Sequence, residues 1–407
     1  MRRTRLDNWI CSVEGLSQLS PQALSSLQLE KLNALLERER RRGGFYSSLP
    51  RRLDSLEQLS ALPFTTPEQL AAHAGSMLLL SQADISRVIS DRTSGTTGAP
   101  KRVFYTARDL EHTVGFFAAG IGEFVSGGDT VMVAMPFSGP FGLGELICLA
   151  VESLGAVPLR SGVGRSFAEL CAELDLARPT AYIGMPVPLL ALLRYYVNLY
   201  GRAPSLRHAL VSGDACPPGV CAEIESLLGT RLFPHYGSRE MCLGGAVTCP
   251  AHEGMHLRAN HVIAEIVDPC GRPLPPGSRG ELVITTLDME ALPLIRYRTG
   301  DVTRVLPGPC PCGGVSPRLD GVSRLSGGES LMERLDSALF PLEYLLDYSA
   351  RVSGDSLELR ALTLDASVPG LAERAGALFP GHRLEIAASA PLPQTVLPPG
   401  KRRLTSI

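Results

Sequence analysis

Thr93-Ser94-Gly95-Thr96-Thr97-Gly98-Ala99-Pro100-Lys101 is the stretch on which the reading of this 407-residue chain turns. Gly95 and Gly98 let the backbone approach a ligand with no Cβ in the way. The hydroxyl residues and successive N–H groups can then wrap an anion as a nest. Lys101 adds a point charge beside it. The string is not a Walker A loop, because the Gly-x4-Gly-Lys-Ser/Thr spacing is missing. Of 39 basic residues only Lys31, Lys101 and Lys401 are lysines, so each is informative where arginine serves nearly everywhere else.

Around this loop, apolar runs of strand length alternate with helical stretches. Thr130–Met135, Ala181–Gly184, His208–Ser212 and Thr230–His235 read as strands, with helices at Phe167–Ala177, Pro188–Tyr200 and Pro218–Leu228 between them. That alternation predicts βαβ units and mainly parallel sheets. From about 245 to 305 the texture changes: His261–Asp268, Gly280–Thr286 and Val302–Leu306 read as strands joined by Gly/Pro turns, a more antiparallel β unit. Residues 15–42 carry helical periodicity, with Gly43-Gly44 as the stop. After Gly321 come a helix (Ser330–Asp347), a strand pair (Arg351–Leu364), a second helix (Leu371–Leu378) and a Pro-rich tail. The expectation is an α/β fold: residues 1–320 as an N-terminal domain of α/β subdomains plus a β unit, and residues 321–407 as a small α+β domain.

Composition narrows the function classes. Hydrophobic residues make up 44% and charged residues 20%, a globular balance, and a formal net charge of −2 excludes an overall nucleic-acid-binding surface. The most apolar stretches, Gly142–Val157 and Ala181–Leu193, are too short or too interrupted for a membrane span of about 20 residues. Leu6-Asp7-Asn8 stands where a signal peptide would place its apolar run, so a cytoplasmic protein is expected. Ten cysteines in such a chain are then reduced, buried or metal-bound rather than paired.

Taken with two downstream strings, the loop resembles that of the ANL superfamily of adenylate-forming enzymes, and most closely its phenylacetate–CoA ligase-like branch. Those strings are Tyr236-Gly237-Ser238-Arg239-Glu240 and the run from Gly280-Glu281-Leu282 to Arg296-Tyr297-Arg298-Thr299-Gly300-Asp301. The resemblance covers about residues 90–320. It implies an adenylation domain with a mobile C-terminal lid, and a reaction in which a carboxylic acid plus ATP gives acyl-AMP, then CoA gives a thioester. Its partners would be the acid, ATP and CoA, with no nucleic acid and no membrane, and a homodimer as the candidate assembly. Ser94, Gly95, Thr96, Thr97, Gly98 and Lys101 would cradle the β/γ-phosphates, and Thr96 would act in catalysis. Glu240 would hold Mg²⁺, a hard cation that takes carboxylate oxygens. Tyr236, followed by Gly237, would stack on adenine, Gly213 and Asp214 would line the base, and Asp301 would accept from the ribose hydroxyls. Lys401, in Pro398-Pro399-Gly400-Lys401, would bridge the carboxylate and the α-phosphate in the adenylating conformation. The chemistry agrees: two anions must meet, and at about 4 Å and an effective dielectric near 20 one countercharge contributes ~4 kcal/mol, roughly a thousandfold in rate.

A second constellation is Cys310-Pro311-Cys312 with Cys249-Pro250-Ala251-His252-Glu253-Gly254-Met255-His256. Three thiols and an imidazole on two loops match the Cys₃His set of a structural Zn²⁺ site. Cys249, His256, Cys310 and Cys312 are the expected ligands. His256 is preferred on likeness to zinc-bearing relatives, with the tighter-spaced His252 as the alternative.

Two departures from the family pattern stand out. Arg239 occupies a position that usually holds Thr, setting a guanidinium beside the phosphates or the Mg²⁺ ligand, either aiding charge neutralisation or turned outward. The stretch Asp320–Gly328 lacks the acidic hinge pair and the lid is short, with Arg324 as the hinge-adjacent residue. The acceptor therefore stays open between CoA and a carrier-protein thiol or an amine, and a scaffold without turnover is the reading from another class. Phe137 and Phe141, in a loop after a predicted strand, suit an aryl or apolar acid.

Overall fold

The computed structural model describes residues 4–91, 101–325, 331–398 and 405–406. Ser94, Gly95, Thr96, Thr97, Gly98 and Lys401 lie outside the described residues. By compactness the chain forms two units, Met1–Phe124 with His235–Leu325 and Val125–Pro234 with Ser326–Ile407. This is a different cut from a functional division at 320/321, because the segment after 325 packs its apolar side chains into the same core as residues of 125–234.

The first unit carries the antiparallel strands. A hairpin pairs Arg87–Asp91 with Lys101–Tyr105, in register from Arg87 opposite Tyr105 to Asp91 opposite Lys101. The loop quoted above therefore joins the two ends of this hairpin. A second sheet runs Val262–Val267, Gly280–Thr286, Tyr297–Thr303 and Ser323–Arg324, all antiparallel. A third pairs the last two residues of the strand Phe233–Tyr236 with Ala246–Thr248, then Met255–Leu257, then Arg318–Leu319. The expected change from parallel to antiparallel texture is thus present, for the physical reason anticipated: short Gly/Pro connections cannot make crossovers. The third strand of the second sheet lies over 297–303 rather than over 302–306. Glycine-containing Thr299-Gly300-Asp301 does not end the strand but bulges within it.

Helices of this unit begin on side-chain caps. Ser20 accepts from Ala23 N–H ahead of Pro21–Arg42, and Gly43 closes that helix in the left-handed region at φ 60°. Thr106 and Asp109 form a reciprocal capping box ahead of Ala107–Ile121, as do Thr66 and Gln69 ahead of Pro67–Met77. The periodicity across 15–42 corresponds to a helix that starts only at Pro21. A separate helix, Arg5–Glu14, precedes it and stops at Gly15, at φ 66°. Pro21 suits only a first turn, where its missing N–H costs nothing.

In the second unit, Val157–Leu159, Thr130–Ala134, Ala181–Gly184, His208–Val211 and the first residues of Phe233–Tyr236 form parallel neighbours in that order. The helices Phe167–Ala177, Pro186–Tyr200 and Pro218–Leu228 connect them. Burial on both faces explains the continuous apolar runs of the inner strands Thr130–Ala134, Ala181–Gly184 and His208–Val211. The C-terminal part of the unit has a four-stranded sheet, ordered Arg383–Ser389, Ser356–Thr363, Leu345–Ser353 and Thr405–Ser406. The helix expected over 330–347 is only Leu331–Leu339, because Pro341 cannot continue the backbone ladder and the chain enters a strand at Leu345. Leu335, Leu339, Phe340 and Leu345 share a core with Leu190, Leu193, Val220 and Ile224. Arg194, with a side chain 4% exposed, donates to the carbonyls of Phe340 (2.8 Å), Leu342 (3.0 Å) and Leu345 (2.6 Å) and pairs Glu223.

Candidate active site

Among the described residues, five of those expected at the nucleotide lie in the first unit: Lys101, Tyr236, Gly237, Glu240 and Asp301. Gly213 and Asp214 belong to the second, in the turn after the strand His208–Val211, with Gly213 at φ 85°. The glycine after Tyr236 is sterically required. A Cβ on Gly237 would come within 2.0 Å of the Leu243 carbonyl oxygen, so only glycine allows the chain to double back after Tyr236. Cys242 and Leu243 close that loop at φ 52° and 66°, a left-handed pair of non-glycine residues that holds backbone strain beside Glu240.

Glu240 emerges from this turn 9% exposed. Its Oε1 accepts from Lys101 Nζ at 2.8 Å and from the Tyr297 hydroxyl at 3.1 Å, and Lys101 Nζ also lies 3.3 Å from that hydroxyl. Burial by itself would raise the Glu240 pKa. The Lys101 charge and hydrogen bond outweigh it, so the carboxyl is held below its ordinary value and stays ionised. The same cluster pushes the Tyr297 phenol far up, first through burial and then through Glu240. Lys101 ends the quoted stretch and opens the strand Lys101–Tyr105, opposite Asp91 in the hairpin.

Asp301 is reached by a bulge. Glu281 pairs Val302 and Val283 pairs Arg298, so Thr299, Gly300 and Asp301 together oppose the single residue Leu282. Gly300 takes φ 69° and Thr299 Oγ1 donates to the Leu282 carbonyl at 2.7 Å. Such bulges re-aim side chains beside functional sites. The Asp301 carboxylate, 7% exposed as a residue, accepts the Tyr236 hydroxyl at 2.7 Å and the Arg324 guanidinium at 2.9 Å. Arg324 stands directly opposite it in the neighbouring strand. Burial raises the Asp301 pKa above the ordinary 3.8, and Arg324 and Tyr236 only partly offset this. Arg296 is structural: its guanidinium pairs Glu265 and donates to the Ser60 and Leu62 carbonyls. Arg298 pairs Glu281 through two nitrogens. Arg239 turns inward, with Nη1 buried and its charge near Arg87, while its carbonyl accepts the Tyr105 hydroxyl at 2.7 Å.

The reading of the residues gave Tyr297 no role, although it lies inside the quoted string. Its signal was spacing: three residues separate it from Asp301, yet the bulge that keeps both at one site has no sequence signature beyond Gly300.

The Cys/His constellation converges separately within the first unit. Donor atoms of Cys249, His256, Cys310 and Cys312 all lie within 4.8 Å of one another, and His252 is not among them. Cys249 Sγ and Cys310 Sγ are 3.7 Å apart, and Cys312 Sγ is 3.3 Å from His256 Nε2. Tetrahedral edges around zinc are about 3.8 Å for two sulfurs and about 3.5 Å for sulfur and nitrogen. His256 Nδ1 faces the Ser316 carbonyl at 2.9 Å, which fixes the proton there and leaves Nε2 as a donor lone pair. Asp7 in turn holds Val315 N–H at 2.7 Å and Ser316 Oγ at 3.2 Å, tying the first helix to this loop. A Cβ on Gly314 would lie 2.9 Å from His256 Cε1, so the turn after Cys312 is shaped around the ring.

No helix of the described residues is long and apolar enough to cross a membrane. Residues 92–289 match the family of AMP-binding enzymes. The chain is 31% identical to the phenylacetate–coenzyme A ligase of Aromatoleum evansii over 311 residues, 72% of this chain and 69% of that protein. To the phenylacetate–coenzyme A ligase of Thermus thermophilus it is 29% identical, covering 75% and 71% respectively. Among solved structures, 2-hydroxyisobutyryl-CoA ligase in the postadenylation state aligns at TM-score 0.73 and 21% identity, over 94% of this chain and 89% of that one, a likeness of fold. The α/β architecture and the sequence kinship agree: this chain belongs to the AMP-binding, adenylate-forming enzymes, in their phenylacetate–CoA ligase branch.

Proposed function

We propose that this chain activates a carboxylic acid with ATP to an acyl-AMP and passes the acyl group to CoA, releasing AMP and pyrophosphate. The observation that carries the reading is the pair of charged clusters in the first unit, Lys101–Glu240–Tyr297 and Tyr236–Asp301–Arg324. Each presents the group the reaction needs. Asp301 is a short acceptor for ribose hydroxyls. Glu240 is an ionised hard oxygen donor in a largely dry place, which fits Mg²⁺. Lys101 is a point charge for the phosphates next to the loop Ser94–Gly98, and Tyr236, followed by Gly237, offers a ring to adenine. Bound Mg²⁺ would supply charge neutralisation to the phosphates. The chain's residues orient the nucleotide, and Lys401, in the segment 321–407, is the residue proposed to bridge the acid's carboxylate and the α-phosphate. Positioning and charge, without a covalent protein intermediate, suffice for such a displacement.

Cys249, His256, Cys310 and Cys312 fit Zn²⁺ in donor type, spacing and tautomer. With four ligands supplied, the metal is structural rather than catalytic. The acid is proposed to be aryl or apolar, the setting cytoplasmic, and the assembly a homodimer. Pyrophosphate release across a panel of carboxylic acids, with and without CoA, tests the function. We expect release with aryl or apolar acids, thioester only with CoA, and loss of both in Glu240→Gln. Acid-independent or absent pyrophosphate release sinks the reading.

A further inference from the structure

Resting on the nucleotide reading above, the geometry points to Tyr297 as the positioning residue for Glu240, with Lys101 as an exchangeable countercharge that the phosphates draw away when ATP arrives. Glu240 Oε1 is shared by two donors of different kinds. Lys101 hangs on a flexible four-carbon stem at the end of a hairpin strand, so it can follow a stronger anion. Tyr297 cannot. Its residue is 1% exposed, and its backbone is held at the start of the strand Tyr297–Thr303, paired with Ile284 on one side and bridged to Thr65 on the other. Once Lys101 turns to the phosphates, the phenol is the group that still pins Oε1. It keeps the carboxylate in one rotamer and leaves its charge free for a divalent cation. A guanidinium in place of Lys101 would make a wider, forked contact and release less readily, which accounts for a lysine here in a chain with only three.

The test is calorimetric binding of ATP at graded Mg²⁺, which needs neither acid nor turnover. Tyr297→Phe removes one oxygen and keeps the ring. The half-saturating Mg²⁺ for ATP binding is expected to rise about tenfold, the worth of a hydrogen bond to a charged group, with affinity restored by Mn²⁺, which carboxylates bind more tightly. In a Glu240→Gln background the same substitution should change nothing further. An unchanged Mg²⁺ requirement, or equal effects of Tyr297→Phe with and without Glu240, overturns the assignment; so does a variant that melts early while its Mg²⁺ requirement stays the same. If the unsubstituted protein takes up no ATP at any Mg²⁺ concentration, the proposed function falls. If it binds ATP but Tyr297→Phe leaves Mg²⁺ dependence untouched, only this inference does.

Discussion

Removing the proposed zinc from the Cys249–His256–Cys310–Cys312 cluster should lower the stability of the first unit by a predictable amount. The ligands join two loops separated by 61 residues of chain. A cross-link closing such a loop lowers the entropy of the unfolded chain by about 4 kcal/mol at room temperature. Unfolded-state binding to the same thiols reduces this. For a unit of roughly 200 residues, 1 kcal/mol shifts the melting temperature by about 2–4 °C. Chelation, or Cys310→Ser, should therefore drop it by about 8–16 °C. The assay is metal analysis of protein purified without a His tag, followed by thermal unfolding with and without a zinc chelator. One zinc per chain and a chelator-sensitive melt are expected. Well under one zinc per chain, or a melt indifferent to both chelator and Cys310→Ser, refutes the reasoning. Cys270 is exposed and outside the cluster, so Cys270→Ser supplies the control that should do nothing.

Three further outcomes follow from the same structure. Lys401→Ala should abolish acyl-AMP formation while ATP binding, followed by calorimetry, stays largely intact; normal pyrophosphate release refutes it. Burial raises the Asp301 pKa, so on acidification Asp301 protonates above the ordinary 3.8. The ionised acceptor is present above that point and lost below it. The difference in ATP affinity between the unsubstituted protein and Asp301→Asn should shrink as pH falls through that range, and a pH-independent difference refutes the role. Arg194→Met strands three carbonyls and Glu223 around a side chain only 4% exposed, at a cost of about 3 kcal/mol. Urea unfolding should show that loss, and a change under about 0.5 kcal/mol would place it with ordinary surface substitutions.

Much of the architecture was legible because burial and turn chemistry act locally. Phe167–Ala177 and Pro218–Leu228 match in bounds, since Ser166 caps the first and Pro217-Pro218 opens the second. The strand at Ala181–Gly184 is buried throughout and reads as such from four residues. The helix expected across 330–347 failed where a local signal, Pro341, was outweighed by an apolar run that belongs to a strand and not to a helix. The helix Arg5–Glu14 was missed because its apolar side is short, and Asp7 serves a distant loop, Val315-Ser316.

The order of residues along the chain determined which chemistry is available: a glycine- and hydroxyl-rich loop ending in a rare lysine, an acidic residue after a tight glycine turn, an aspartate after Gly300, and three thiols with an imidazole. Their kinds and spacings are covalent facts, and so is the family kinship they carry. Only tertiary structure decided which of these side chains meet. It selected His256 over His252 by the direction of Nε2, brought Arg324 opposite Asp301 across a sheet, and set Tyr297 against Glu240 by a bulge. It also joined the C-terminal segment to the core of 125–234. Such contacts depend on strand register and on which groups can be dried together, and these are settled by burial summed over the whole fold rather than by any neighbouring residue.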